Sequence, residues 1–201
     1  MGKKQRLIII SPIILIATMY PIFHFLTSVL GYTLGWYFGL VIYWIIWGGL
    51  FSWRMIGMEN IRKIIRPQKL TLKIFLMVLF PLLMAALYRF VPGMGYEKPD
   101  VWILLLLLST NVGNGFFEEL LWRGVYMCIF PDNTMVRIFW SSIWFALWHY
   151  VPGSVSPDGN VLGLIIGSGL FGFYLSFISK KTNTIWWGIL AHMIGGTIMI
   201  I

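Results

Sequence analysis

The chain is poor in charge and nearly without cysteine. Of its 201 residues only 11% are Asp, Glu, Lys or Arg, and Cys128 is the single cysteine. One cysteine excludes an internal disulfide and any multi-cysteine metal site. Seven acidic residues against fifteen basic ones leave a formal charge of +8, a balance that draws attention to nucleic acid as a partner. The basic residues are placed wrongly for that. They cluster in short segments between apolar runs, as membrane topology signals do, so no nucleic-acid partner is expected. The chain also lacks an internal repeat, a low-complexity segment and an HExxH signature. Without repeat symmetry it is a poor match for transporters built from inverted repeats.

What it has in quantity is apolar sequence. Hydrophobic residues make up 59% and the mean hydropathy is +0.82, outside the range of soluble globular chains. The runs are continuous, whereas a membrane β-barrel alternates over segments of about ten residues. The expected fold is therefore all-α, a polytopic transmembrane bundle of about seven helices in the cytoplasmic membrane, with the lipid bilayer as its first partner. Taking about 20 residues per span, the candidates are 7–30, interrupted by Pro12 and Pro21, then 36–53 and 70–91. The next lies within 101–130, too long for one untilted span, and Gly113 and Gly115 are expected to break it. Segments 135–150, 161–179 and 184–201 complete the set. Residues 1–100 read as three N-terminal helices and 101–201 as a four-helix core of the same membrane domain.

The basic start, Lys3, Lys4 and Arg6, leads into a stretch too long for a leader's apolar core and without a small-x-small cleavage site, so it reads as a first span. With the N-terminus in the cytoplasm, Lys3, Lys4, Arg6, Arg54, Arg62, Lys63, Arg66, Lys69, Lys73, Arg137, Lys180 and Lys181 share that side. Arg89 and Lys98 fall opposite. Twelve against two is a clear positive-inside pattern. Trp36, Trp53, Trp102, Trp186 and Trp187 fall near predicted helix ends, as interface anchors do. Gly163 and Gly167 form a GxxxG pair that reads as close helix packing.

Five of the acidic residues, Glu59, Glu97, Asp100, Asp132 and Asp158, fall in predicted loops. Glu118, Glu119 and Arg123 instead sit in NVGNGFFEELLWRGVYMCIF, residues 111–130, at membrane depth. An ionisable group there is costly unless paired or hydrated, and marks a functional site by default. At about 1.5 Å per residue, Glu119, His149 and His192 lie roughly 16, 18 and 12 Å from the cytoplasmic ends of their helices, so one shared site is feasible. Glu119 and Arg123 are i and i+4, on one face in the favourable order for an ion pair, which burial makes obligatory. Glu118 is turned about 100° away and is left to face the histidines. Two adjacent carboxylates in a dry setting cannot both carry charge cheaply, and a carboxylate so placed suits acid–base work. Glu118 is thus the candidate for activating water. The bland alternative is that Glu119–Arg123 only fixes helix packing. His24, after Pro21 and without an acidic partner, and Cys128 read as packing; Asn111 and Asn114 suit either the outer end of the site or local hydrogen bonding.

These residues carry a resemblance. Glu118-Glu119-Leu-Leu-Trp-Arg123 matches the EExxxR motif of the CPBP intramembrane proteases, which include CAAX prenyl endopeptidases of the Rce type and bacterial Abi proteins. Phe145-Ala-Leu-Trp-His149 matches that family's FxxxH motif, and His192 stands where a third motif has its histidine. The likeness covers about 101–201. It implies hydrolysis of a peptide bond in a membrane-associated or lipidated peptide or protein, with Glu118 activating water beside a histidine and Glu119, Arg123, His149 and His192 completing the catalytic set. Members are described both as metalloproteases and as metal-independent glutamate-type enzymes. Glu118, His149 and His192 could hold Zn²⁺ with an open water position, or polarise water without metal. The third motif commonly reads HxxxN or HxxxD, and here Gly196 follows His192 at i+4. That departure lowers activity, moves the role to Asn111 or Asn114, or marks a non-catalytic member. Three other readings remain: a peptide-binding or bacteriocin-immunity protein, a proton-coupled transporter, and a serine–histidine dyad of Ser168 with His192, which lacks the usual glycine at Ile166.

Overall fold

The computed structural model describes residues 1–88, 99–157 and 159–200. Seven helical segments follow one another: α1 (Lys3–Leu30), α2 (Tyr32–Ile64), α3 (Leu72–Tyr88), α4 (Val101–Ile129), α5 (135–154), α6 (Val161–Thr182) and α7 (Trp186–Ile200), with no strand among the described residues. Helices α1, α2, α4 and α6 are long and apolar enough to cross a membrane, while α3 and α7 are apolar but shorter. The expected helical membrane bundle is the one that forms. Arg89, Lys98, Glu97 and Asp158, and the end of the third predicted span at Val91, lie outside the described residues.

The segments rich in Lys and Arg meet at one end of the bundle. Lys4 Nζ donates to Met55 O (2.7 Å), Lys180 Nζ to Thr134 Oγ1 (2.9 Å), and Thr184 Oγ1 to Ile64 O (2.6 Å). At the other end His24 bonds Ser154 (3.2 Å) and Tyr20 stacks on Tyr150. Successive helices therefore alternate in direction, as the charge pattern requires.

Several local expectations are corrected. Proline does not interrupt α1. Pro12 deprives Ile8 O of its helical donor, and the hydroxyls of Ser11 (3.1 Å) and Tyr126 (3.3 Å) take that carbonyl instead, as lipid demands of any freed backbone group. The basic segment after Trp53 is not loop: α2 runs on to Ile64, turning at Gly57, whose φ of 76° suits only glycine. Past the turn Ile61 and Ile64 are buried while Arg62 and Lys63 face out. Trp187 is not an interface anchor, because it packs with Leu175, Ile178 and Ala191.

Gly113 and Gly115 do not break α4. The helix continues and widens into π turns at Asn114–Glu118 and Leu120–Val125. The two glycines serve close approach instead: a Cβ at Gly113 would lie 2.5 Å from the Trp44 indole, and one at Gly115 would strike Met193. Nor does the Gly163/Gly167 pair pack helices. Gly167 faces open space and Gly163 faces only Asn160, whereas Gly169 and Gly172 approach Ala146 and Phe145 of α5. Residues 118–127 of α4 are buried without interruption. Around this inner half of α4 the bundle is assembled, and it places the ionisable residues where every neighbour is protein.

Candidate active site

Glu118, Glu119 and Arg123 are almost fully buried, at 1%, 0% and 2% exposure. Arg123 Nη1 donates to Glu119 Oε1 at 3.0 Å, which joins the pair that i, i+4 spacing put on one face. Two further residues shape the guanidinium's place. Its Cζ lies 4.2 Å from the centre of the Phe145 ring, a cation–π contact in a desolvated setting. Gly172 leaves the room for both: a Cβ there would lie 2.8 Å from Arg123 Nη2 and 2.5 Å from Phe145. Gly188 on α7 does the same for Glu119, where a Cβ would stand 3.0 Å from Oε2.

Glu118 is held differently. Its Oε1 accepts from the indole N–H of Trp148 at 3.1 Å. Trp148 is itself fixed by stacking on Tyr43, 4.2 Å between ring centres, and Tyr43 Oη accepts from Trp122 Nε1 at 2.9 Å. Glu118 Oε2 is buried and has no hydrogen-bond partner among the described residues. His192 Nε2 stands 3.8 Å from it.

His192 bridges the two glutamates. Its Nδ1 meets Glu119 Oε1 at 3.1 Å, and a carboxylate can only accept from an N–H. With the proton on Nδ1, Nε2 of the neutral ring carries a lone pair toward Glu118. The 3.8 Å gap is too long for a direct hydrogen bond. One water placed beside both atoms would lie at ordinary distance, roughly 2.8 Å, from each.

His149 comes from a pivot in α5. Pro152 cannot donate to Trp148 O and its ring crowds that carbonyl. The helix accordingly breaks at His149 (φ −66°, ψ −12°), whose N–H bonds Ala146 O at 3.1 Å. Its Nδ1 lies 2.7 Å from Phe145 O and must be the donor, leaving Nε2 as acceptor. The Phe145 ring contacts both histidines edge-on, 4.6 Å from His149 and 6.4 Å from His192 by ring centres.

The structure therefore brings Glu118, Glu119, Arg123 and His192 into direct contact or near contact, with His149 packed on Phe145 beside them. Among the described residues no three or more His, Cys, Asp or Glu side chains are grouped to hold a metal ion. Glu118, His149 and His192 do not form such a group as placed, although Nε2 of His192 stays open beside Glu118 while Nδ1 serves Glu119. Cys128 packs against the main core, and His24 hydrogen-bonds Ser154 and packs on Tyr20, away from the glutamates. Ser168 Oγ donates to Ile165 O of its own helix.

Of the two asparagines, Asn114 accepts from Trp44 Nε1 at 2.9 Å. Asn111 faces Gly196. A Cβ at Gly196 would lie 2.6 Å from Asn111 Oδ1 and 2.9 Å from its Cγ, so the Asn111 carboxamide fills the place a side chain at 196 would take. Asn111 Nδ2 is buried with no partner among the described residues. Trp148, Gly172 and Gly188 went unnoticed in the sequence. Trp148 stands beside His149 in the motif, but an indole in an apolar run reads as core until its partner is seen.

A helical membrane bundle with two carboxylates, an arginine and a histidine joined at its centre has the make-up of an intramembrane hydrolase. The sequence profile of the Type II CAAX prenyl endopeptidase Rce1-like family matches residues 100–198, and over these residues the chain belongs to that family of membrane proteases. Searches among curated proteins and among solved structures returned no match.

Proposed function

We propose that the chain is an intramembrane endopeptidase in which Glu118 activates water to cleave a peptide bond of a membrane-associated or lipidated peptide. The observation that carries this is Glu118 Oε2: a buried carboxylate oxygen without a hydrogen-bond partner among the described residues, 3.8 Å from His192 Nε2, which offers a lone pair in the neutral ring. A water between them is held by both. As its oxygen bonds to the substrate carbonyl carbon, its proton passes to Glu118 Oε2. When the C–N bond breaks, Glu118 returns that proton to the leaving nitrogen, which becomes the amine of the product.

The rest of the site supports these steps. Trp148 anchors Oε1, so Oε2 is the oxygen left to face water. Glu119 and Arg123 fix His192 in the required tautomer, because Oε1 of Glu119 accepts from Nδ1 while it is neutralised by the guanidinium. Asn111 supports the reading that the third-motif amide has moved from α7 to α4, since its carboxamide occupies the space beside Gly196 and offers an unengaged N–H donor. The buried amide is then available to a carbonyl of the bound peptide. No step needs a metal.

Purified protein, or membranes containing it, tested with a panel of lipidated and leader-type peptides measures the reading directly. Glu118→Gln is isosteric and is expected to remove cleavage, a general-base loss of at least about 10²–10⁴-fold, with the thermal midpoint nearly unchanged. Full cleavage by Glu118→Gln would refute the assignment. Peptide capture that survives the substitution in a chain with no cleavage at all would instead identify a binding protein.

A further inference from the structure

Immediately toward the basic end from the Glu119–Arg123 pair lies a small cavity between α4, α5 and α6. It is lined by Arg123 and Met127, by Arg137, and by Ser176, Ser179 and Lys180, with a volume of about 10 Å³, room for one atom-sized or water-sized occupant. Its polar lining is one-sided. Arg123 gives Nη1 to Glu119, but its Nε and Nη2 are buried and find no partner among the described residues. The Ser179 hydroxyl is also buried and without one. Ser176 shares a hydrogen bond with Ser142 at 3.2 Å. Arg137 and Lys180 are tied to Pro131 O and Thr134 Oγ1, and their charge adds to that of Arg123. No carboxylate lines the space; Asp132, the acid whose field reaches Arg137, is not part of the wall.

Such a wall discriminates between occupants. A water could accept from Arg123 and donate to a serine hydroxyl, but it would leave the gathered positive charge of Arg123, Arg137 and Lys180 without a counter-charge in the cavity. A buried guanidinium edge with two unmet N–H groups is strongly disfavoured in a dry site. A spherical anion requires donors alone and answers all three cations. We infer that this cavity is a binding site for a single small monovalent anion of the halide class, held by Arg123 Nε and Nη2 and Ser179 Oγ, and drawn in past Arg137 and Lys180. Phosphate and carboxylate groups are too large for the space. The inference does not depend on the hydrolytic reading, because the site lies beside the ion pair rather than beside Glu118 Oε2.

The test uses the full chain in detergent or nanodiscs, unfolded by heat in sodium chloride, sodium gluconate and sodium phosphate at one pH and ionic strength. A ligand that binds only the folded state raises the midpoint, so chloride is expected to raise it by a few degrees over gluconate, with phosphate adding nothing specific. Ser179→Ala combined with Arg137→Gln should erase the chloride increment while leaving the gluconate midpoint near wild type. Equal wild-type midpoints in chloride and gluconate would overturn the site, as would an increment that persists in the double variant. Should that variant fail to fold, anomalous scattering from wild-type crystals in bromide decides. A peak within hydrogen-bonding distance of Arg123 Nη2 supports the site, and a cavity without one refutes it. A phosphate increment lost in the double variant would place the anion in an open headgroup-type site at Arg137 and Lys180, and also refute it.

Discussion

Helices α1 and α4 are nearly the same length, 28 and 29 residues, and both are apolar enough to span a membrane. They solve different problems. On α1 the buried positions form a narrow stripe, Ile8, Leu15, Met19 and Phe23, while Ile13, Phe25 and Val29 face outward with roughly half or more of their surface exposed. The inner half of α4 is covered on every side. A helix with a lipid-facing surface cannot carry an ionised side chain there without cost. Complete enclosure by protein lets α4 hold two carboxylates and a guanidinium, because neighbouring helices supply a partner or a shaped space for each. Enclosure, more than apolarity, permits the chemistry.

That contrast can be broken at α4 most forcefully. Arg123→Ala leaves Glu119 buried with only His192 beside it and should destabilise the protein by about 3–5 kcal/mol, read as a large fall in thermal midpoint. Replacing both partners, Glu119→Gln with Arg123→Met, should recover much of that loss. Equal midpoints for Arg123→Ala and wild type would show that enclosure alone, without pairing, tolerates the charge.

The next effect is on rate. Asn111→Gly should slow peptide cleavage by about a hundredfold, the usual consequence of deleting one donor to a developing charge. Moving the amide back, Asn111→Gly with Gly196→Asn, should restore most of it. A double variant no faster than Asn111→Gly would break the equivalence of the two positions. A smaller change is expected from Trp148→Phe, which keeps the ring stacked on Tyr43 but strands Glu118 Oε1. The expected cost is about 1–3 kcal/mol, with reduced kcat and little change in KM. At the other extreme, Phe25→Ala on the outer face of α1 (65% exposed) should move the midpoint by no more than about 0.5 kcal/mol equivalent. A large loss there would mean that α1 is also enclosed, by another protein.

Much of this was legible in the residues themselves. Long apolar runs and basic clusters fix the number and direction of the helices, and i, i+4 spacing joins Glu119 to Arg123 without any tertiary information. Depth along three helices brings His192 to the glutamates. What stayed hidden depends on register between helices, which no local pattern encodes. Gly172 and Gly188 matter because of what faces them, and the GxxxG pair at Gly163 and Gly167 fails for the same reason, since nothing faces Gly167. Gly113 and Gly115 looked like breakers because glycine is a poor helix former in isolation. Inside the bundle, contact with Trp44 and Met193 outweighs that preference. Helical spacing left Glu118 to face the histidines, whereas the fold sets His192 closer to Glu119, 3.1 Å against 3.8 Å.

The enclosure of α4 also bears on how the chain is made. Synthesis runs from the N-terminus, so α4 leaves the ribosome before α5, α6 and α7, the helices that will clothe it. For that interval a segment with three ionisable groups must be accommodated by the insertion machinery, where each such group at mid-depth opposes entry by about 2.5–3.5 kcal/mol. Because Glu119 and Arg123 lie one turn apart on the same segment, their neutralisation is available at once and waits for no later helix.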